Sequence, residues 1–225
     1  MIRTVLPLVT SREITVTTAV KRPRQRIVSP NVMFSASALP VYRISVAKYH
    51  EMIRAGILGE DDPIELLEGL LVPKMPKHPP HVTANNLLAA ALAKIIPEGF
   101  VLRLQDPITL KRSEPEPDVV VARGHARDFS TKHPCPEDVA LLVEVAESSL
   151  AHDTGAKKQI YAAAGIVNYW VVNLSESTIE VFTEPVRGSK PPDYRNHQTF
   201  SARQKLPVML HSKKIGTLAV ADVLP

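Results

Sequence analysis

The first patterned part of the chain combines helical periodicity with short apolar runs. Ser45 can cap a short amphipathic helix. The apolar positions of that helix fall on one side and are Val46, Tyr49, Met52 and Ile53. Residues 64–72 predict a hairpin with its turn at Gly69. Residues 82–96 are rich in Leu and Ala at helical spacing, which predicts a longer helix packed on a core.

Short segments rich in Val and Leu then predict the strands of a buried sheet. They lie near residues 101–106, 117–122, 139–146 and 168–173. A further, edge-like strand is expected at residues 178–183, and a helix over residues 154–164 ends at Gly165. This order predicts an α/β fold in which a central mixed sheet is flanked by helices and preceded by an N-terminal helix and hairpin.

The two ends of the chain lack such periodicity. Residues 1–38 are predicted to be a flexible, basic N-terminal arm. Residues 186–225 contain several prolines and are predicted to be a basic C-terminal extension of irregular structure. Residues 39–185 then form the one folded domain that a chain of 225 residues is expected to contain.

Charge is distributed unevenly along the chain. The whole sequence has 27 Lys and Arg against 23 Asp and Glu, a net charge of +4. Residues 1–38 and residues 186–225 each carry +5, while residues 39–185 hold 14 basic and 20 acidic residues, a net of −6. Basic ends can bind phosphates, although solvated tails without a partner explain the same charges equally well.

Cysteine content and hydropathy restrict the compartment. Cys135 is the only cysteine, so no internal disulfide can form, and a reducing, cytoplasmic location is expected. The longest apolar run, Leu87 to Ala93, is far shorter than the roughly 20 residues that cross a bilayer. No membrane partner is therefore expected.

Two carboxylates interrupt the apolar strand segments. Asp118 opens one of them, and Glu144 lies inside the run LLVEV of another. A carboxylate in such a position is costly to bury unless it is paired, hydrogen-bonded or bound to a cation. If the two strands are neighbours, the acids repel each other and favour a bound cation, for which Mg²⁺ is the natural choice.

Lys157 lies in the predicted helix after the Glu144 strand, one helical turn after Asp153. Beside two carboxylates and a metal, a lysine could orient or deprotonate water and offset charge on a phosphoryl group. The three residues together suit phosphodiester hydrolysis. Each also has an ordinary explanation: Asp118 as a turn residue, Glu144 as an edge position, and Lys157 as a surface charge paired with Asp153.

Several motifs occur in an order that resembles a known family. They are ELLEGLLV (residues 65–72), His81, PEPDVVV (residues 115–121), LLVEV (residues 141–145) and DTGAKKQIYAAAGIVNYWVV (residues 153–172). Over roughly residues 42–184 the chain resembles the Uma-two (Uma2) family of restriction-endonuclease-like proteins, a branch of the PD-(D/E)XK nuclease superfamily. The resemblance implies a restriction-endonuclease-like core and a hydrolase that cuts DNA with Mg²⁺, for which Mn²⁺ can substitute.

The resemblance also implies roles for individual residues. Asp118 and Glu144 would hold the metal, assisted by the carbonyl of Val145. The superfamily lysine would stand at Ala146, and the family places its substitute on the next helix, at Lys157.

Two further positions are less settled. The glutamate that the superfamily often takes from its first core helix is missing here, so Glu65 or Glu68 is expected to replace it. His81 matches a family position that could contact metal-bound water or phosphate, although it could equally cap its helix.

Other functions remain compatible with the sequence. The acidic centre of the chain favours a catalytically silent module that binds a partner through the nuclease fold. A metal-dependent hydrolase of another phosphorylated substrate is a third reading, since two carboxylates and a metal do not specify DNA. Superfamily members that cut both strands commonly act as dimers, so a homodimer is the oligomer that the resemblance implies.

Overall fold

The computed structural model describes residues 40–59 and 61–225, and its first elements are a helix and a hairpin. Helix α1 spans Val46–Arg54, and Ser45 caps it by accepting a hydrogen bond from the N–H of Lys48 at 3.2 Å. Strands β1 (Ile64–Leu67) and β2 (Leu70–Pro73) form an antiparallel hairpin. Both elements were predicted from the sequence and are confirmed.

Helix α2 spans Pro79–Ala93 and begins three residues earlier than its periodicity predicts. Pro79 and Pro80 occupy its first turn, where proline needs no N–H partner and its fixed φ suits the helix. Ala84, Leu88 and Leu92 form the buried side of α2.

In the described ranges, no helix has the length and apolar character needed to cross a membrane.

Six strands form the central sheet, and each pairs with its neighbours in chain order. They are β3 (Phe100–Leu104), β4 (Val119–Arg123), β5 (Val139–Ala146), β6 (Asn168–Asn173), β7 (Thr178–Val186) and β8 (Asp193–Ser201). Strands β5 and β6 run parallel, whereas every other neighbouring pair is antiparallel. The predicted α/β fold with a central mixed sheet flanked by helices is therefore confirmed.

The connection from β5 to β6 differs from the single helix that was predicted. It contains a short helix α3 (Leu150–His152), a π-helical turn (Asp153–Lys157) and helix α4 (Lys158–Ala164). The N–H of Lys158 donates to the carbonyl of Asp153, five residues earlier. Such turns occur often at functional sites. Gly165, with φ of +83°, ends α4 as predicted.

The expectation of an irregular C-terminal extension is wrong. Strand β8 pairs with β7 along its length, so β7 is not the edge of the sheet. Strands β9 (Lys205–Leu210) and β10 (Lys213–Ala219) form a hairpin, and a 3₁₀ turn (Val220–Val223) follows. Most of β8 is polar and exposed, so it lacks the apolar alternation by which strands are recognised.

This correction changes the charge of the folded part. The C-terminal strands bring their +5 into the fold, so residues 39–225 hold 21 basic and 22 acidic residues, a net of −1. The acidic centre that favoured a silent module is thus offset within the same folded unit, which extends from Tyr42 to Pro225. The predicted N-terminal arm, residues 1–38, lies outside the described residues.

The sheet separates two hydrophobic clusters. On one side, α2 and the β9–β10 hairpin pack against Val119, Val143 and Trp170. On the other side, α4 packs against Val120 and Leu142. Because side chains alternate along a strand, the positions of these residues decide which face each acid of β4 and β5 occupies.

Candidate active site at the ends of two strands

Asp118 and Glu144 lie opposite each other on neighbouring strands. Val119 pairs with Val143 in the antiparallel β4–β5 register, which places the preceding Asp118 across from Glu144. Asp118 lies two residues before Val120 and Glu144 two residues after Leu142, so both acids share the face of those residues, on the α4 side of the sheet. The two residues are buried, with 7% and 3% of their surface exposed, and they line the same pocket.

Three polar groups surround the Asp118 carboxylate. Its Oδ2 accepts from the backbone N–H of Val145 at 2.9 Å and contacts Nε2 of His81 at 3.1 Å. Gln105 Nε2 approaches the other oxygen, Oδ1, at a long 3.4 Å. The N–H and C=O of one strand residue point toward the same neighbouring strand, so the Val145 carbonyl also faces this side of the pocket.

Glu144 is held from the helical side of the sheet. Its Oε1 accepts from Nζ of Lys157 at 3.1 Å and from the hydroxyl of Tyr161 at 2.7 Å. Burial raises the pKa of Glu144 to about 8; the Lys157 ammonium opposes this shift, and the nearby acids Asp153 and Asp118 add to it. Within the described residues, no side chain donates to the second oxygen, Oε2, which leaves that atom available to a ligand.

Lys157 pairs with Glu144 and Glu65, and not with both predicted metal ligands, Asp118 and Glu144. Its ammonium is 3.1 Å from Glu144 and 3.3 Å from Glu65, and only 12% of the side chain is exposed. Burial alone would lower the pKa of Lys157, but the surrounding carboxylates outweigh it and raise the pKa well above its usual value. The predicted contact with Glu144 is present, whereas the ammonium makes no ion pair with Asp118.

The positions of Glu65 and Glu68, between which the sequence left the choice open, differ in the structure. Glu65 in β1 is 5% exposed and lines the pocket, and its Oε2 accepts from the N–H of Glu116 at 3.1 Å. Glu68 lies in the hairpin turn and pairs with Arg112 at 3.4 Å, outside the pocket. Glu65 lies in β1, whereas Glu68 lies in the turn after it, so the two acids have different surroundings.

His81 is part of the same pocket and does not cap its helix. It lies in the first turn of α2, 9% exposed, while His78 occupies the capping position. Its Nε2 faces the Asp118 carboxylate, which requires that this nitrogen carry the proton. The Nδ1 atom is buried and has no hydrogen-bond partner in the described part of the chain.

A hard divalent cation fits the chemistry of these donors. Asp118, Glu144 and the Val145 carbonyl offer oxygen atoms, which Mg²⁺ prefers, and this ion commonly takes one or two carboxylates and completes its shell with water. Residues 40–59 and 61–225 contain no ready-made group of three or more His, Cys, Asp or Glu for a metal. Two acids and a carbonyl suit Mg²⁺ better than a metal that needs an all-protein cage.

Sequence reasoning missed two polar residues of the site, Tyr161 and Gln105. Tyr161 was noticed only as part of a motif, yet it lies four residues after Lys157 and donates to the same oxygen of Glu144. Gln105 precedes β4 in a loop with no strong pattern. Helical spacing from Lys157 is a signal that could have identified Tyr161, whereas no local signal points to Gln105.

Comparisons with known proteins agree with this architecture. A family described as "Uma2: Putative restriction endonuclease" matches residues 46–220, more than half of the chain. A solved protein from Anabaena variabilis ATCC 29413, described as "a putative nuclease belonging to DUF820", aligns with a TM-score of 0.57. The two sequences are 14% identical, and the alignment covers 80% of this chain and 97% of the other. At that identity the likeness supports the fold alone. No curated protein matches the sequence.

Proposed function

The chain belongs to the Uma2 family, and from this membership we propose that it is a Mg²⁺-dependent endonuclease that hydrolyses phosphodiester bonds in DNA. One observation carries the proposal: Asp118 and Glu144 lie opposite each other on one face of the sheet, with the charged Lys157 on Glu144. Buried acids placed side by side need a cation, and Mg²⁺ with a neighbouring lysine suits attack of water on phosphorus.

Each residue has a distinct part in the proposed reaction. Asp118, Glu144 and the Val145 carbonyl would hold Mg²⁺, which when bound offsets the charge that develops on the phosphoryl oxygens. The raised pKa of Lys157 keeps its ammonium charged, so the lysine serves as a donor to water or phosphate rather than as a base.

Two neighbouring residues would position this group. Glu65 also pairs with the Lys157 ammonium, at 3.3 Å. His81 holds the Asp118 carboxylate through Nε2 and thereby limits its rotation. Pre-placed charges of this kind need no reorganisation when charge develops in the transition state.

The proposal is tested by DNA cleavage together with metal binding. Wild-type protein should convert supercoiled plasmid to nicked or linear DNA with Mg²⁺ or Mn²⁺ and leave it intact with EDTA. Asp118→Asn should lose cleavage, and calorimetry should show that it has lost Mg²⁺ binding as well. A wild-type protein that binds Mg²⁺ but cuts no DNA would require the endonuclease assignment to be withdrawn.

One observation favours a second candidate, a catalytically silent module with the nuclease fold. The Lys157 ammonium already pairs with Glu144 and Glu65 without any metal, at 3.1 and 3.3 Å. A site closed by its own ion pairs can persist as a structural relic. Calorimetry separates the two candidates, because a relic should take up no Mg²⁺ at all in the wild-type protein.

A further inference from the structure

The segment between β2 and α2 forms a wall of the candidate pocket. We call residues 74–78 (Lys-Met-Pro-Lys-His) the connector, and its first four residues line the pocket beside Asp118 and Glu144. Proline lies within the connector at Pro76 and directly after it at Pro79. Because proline fixes φ, the connector has few backbone conformations to lose when a ligand binds.

An ion pair at one end and a histidine–carboxylate contact at the other link the connector to the segments that carry the two acids. Lys74 Nζ is 2.7 Å from Glu116, two residues before Asp118. His78 Nδ1 is 3.4 Å from Glu147, three residues after Glu144. The connector is therefore held at both ends, and the three residues between these anchors, Met75, Pro76 and Lys77, lie along the pocket wall.

Lys77 is the charged residue among these three, and it differs from the other lysines of the pocket. The lining contains three lysines and six acids; the acids are Glu65, Glu116, Asp118, Glu144, Glu147 and Asp153. Lys74 and Lys157 are already paired with acids. Lys77 is exposed, and none of the acids in the described ranges lies within ion-pair distance of it. Its charge is thus available to an anion outside the metal centre.

An anionic polymer needs such a charge to enter this pocket. With six acids in the lining, a DNA backbone is repelled except where a cation or a lysine compensates. A metal held by Asp118 and Glu144 would compensate only the phosphate that is cut. The phosphates next to it need another partner, and the connector presents one at a fixed place on the pocket wall.

We propose that Lys77 binds a backbone phosphate of DNA next to the phosphate that is cut, and that the connector is the wall on which the substrate strand lies. This inference rests on the proposed DNA cleavage. It predicts a contact that positions the strand without reading its sequence, since a lysine on a phosphate carries no base information.

The test measures DNA binding by the full chain in EDTA, where no cleavage occurs. Fluorescence anisotropy with a short labelled duplex at several NaCl concentrations gives both the affinity and its salt dependence. Lys77→Ala should weaken binding several-fold and lower the slope of log K against log[NaCl] by about one. Lys77→Arg should keep the wild-type slope, because the charge is retained.

Lys94→Ala provides the matched control. Lys94 is an exposed lysine that follows the last residue of α2. The 15 residues of the helix separate it from the connector by about 22 Å. Lys94→Ala removes the same charge from the protein as Lys77→Ala does. A general electrostatic effect would therefore change the DNA binding of both variants alike.

The outcomes separate this inference from the proposed function. A lower slope for Lys77→Ala with an unchanged slope for Lys94→Ala supports the inference. Equal slopes for the two alanine variants overturn it, and wild-type cleavage of plasmid with Mg²⁺ would then leave the endonuclease proposal standing. A wild-type protein that neither binds the duplex nor cuts plasmid overturns both. Tighter competition by a free nucleotide than by duplex DNA would also overturn the assignment to a backbone phosphate.

Discussion

The hydroxyl of Tyr161 donates a hydrogen bond to Oε1 of Glu144, with 2.7 Å between the two oxygens. Both side chains are buried, and the same oxygen also receives the ammonium of Lys157. Tyr161 lies in α4, and Lys157 is the last residue before that helix begins. One continuous segment therefore holds the carboxylate that we propose as a metal ligand. The orientation of Glu144 therefore depends on how this segment packs against the sheet.

Tyr161→Phe should change metal binding, whereas Tyr169→Phe should not. Both tyrosines are fully buried and donate one hydrogen bond each, Tyr161 to Glu144 and Tyr169 to the carbonyl of Asp153 at 2.8 Å. Each variant should therefore lose about 1 to 3 kcal/mol of stability in urea denaturation. Calorimetry with Mg²⁺ should detect altered affinity only for Tyr161→Phe. An identical Mg²⁺ affinity in both variants would show that Tyr161 does not position Glu144.

Lys157→Ala should abolish cleavage while Mg²⁺ binding is retained. Lys157 is proposed to act on water and phosphate, and its removal leaves Glu144 and Glu65 with more uncompensated charge for a cation. Lys158→Ala is the control, because Lys158 pairs with Asp193 at 2.8 Å, outside the pocket. Plasmid cleavage and calorimetry should be measured for both, with circular dichroism as the check of folding. Equal loss of cleavage in the two variants would remove Lys157 from the proposed mechanism.

Without a divalent cation, stability should fall as the pH rises from about 4.5 to about 8. Burial raises the pKa of Glu144 from 4.5 to about 8, so the folded state keeps a proton that the unfolded chain releases. The contribution of the Glu144 proton to stability is complete below the pKa of the unfolded state. It is lost as the pH rises through the pKa of the folded state. Urea denaturation in EDTA at about pH 5 and about pH 8 measures the slope. Glu144→Gln should flatten it, and an unchanged slope in that variant would place the titration elsewhere.

The sequence predicted the two acids as a pair on the condition that their strands are neighbours, which the structure shows them to be. Asp118 and Glu144 each interrupt an apolar run, and such runs form adjacent buried strands. The pairing of Val119 with Val143 then places the carboxylates together without any further information. Their roles as ligands stay a prediction, while their shared face is a property of the fold.

Other parts of the fold depend on long-range contacts that periodicity does not reveal. Whether Glu65 or Glu68 enters the pocket depends on how the hairpin packs against the loop at Glu116. Strand β8 is mostly polar, and its place in the sheet is set by backbone pairing with β7. The π-helical turn before Lys158 likewise has no local signal, because it adds one residue to an otherwise helical segment.

Truncation at the two ends should have different effects on folding, although both ends carry the same net charge of +5. Deleting residues 1–38 should leave the domain folded, since Tyr42–Pro225 form one unit. Its only expected effect is weaker and less salt-dependent DNA binding, because the removed segment carries a charge of +5. Circular dichroism and anisotropy titrations on the purified protein measure both effects. Loss of folding in this variant would contradict the unit boundary.

Deleting residues 187–225 should instead unfold the protein, although this segment has the same net charge. The removed strands and the 3₁₀ turn bury six apolar side chains in the core on the α2 side of the sheet: Leu206, Val208, Leu210, Leu218, Val220 and Val223. Burial of each is worth about 1.5 to 3 kcal/mol, and together they equal or exceed the roughly 5 to 15 kcal/mol by which a domain is usually stable. Their loss also exposes Trp170 and leaves β7 as an unpaired edge. A cooperative thermal transition in this truncated protein, comparable to that of the full chain, would show that the C-terminal strands are dispensable after all.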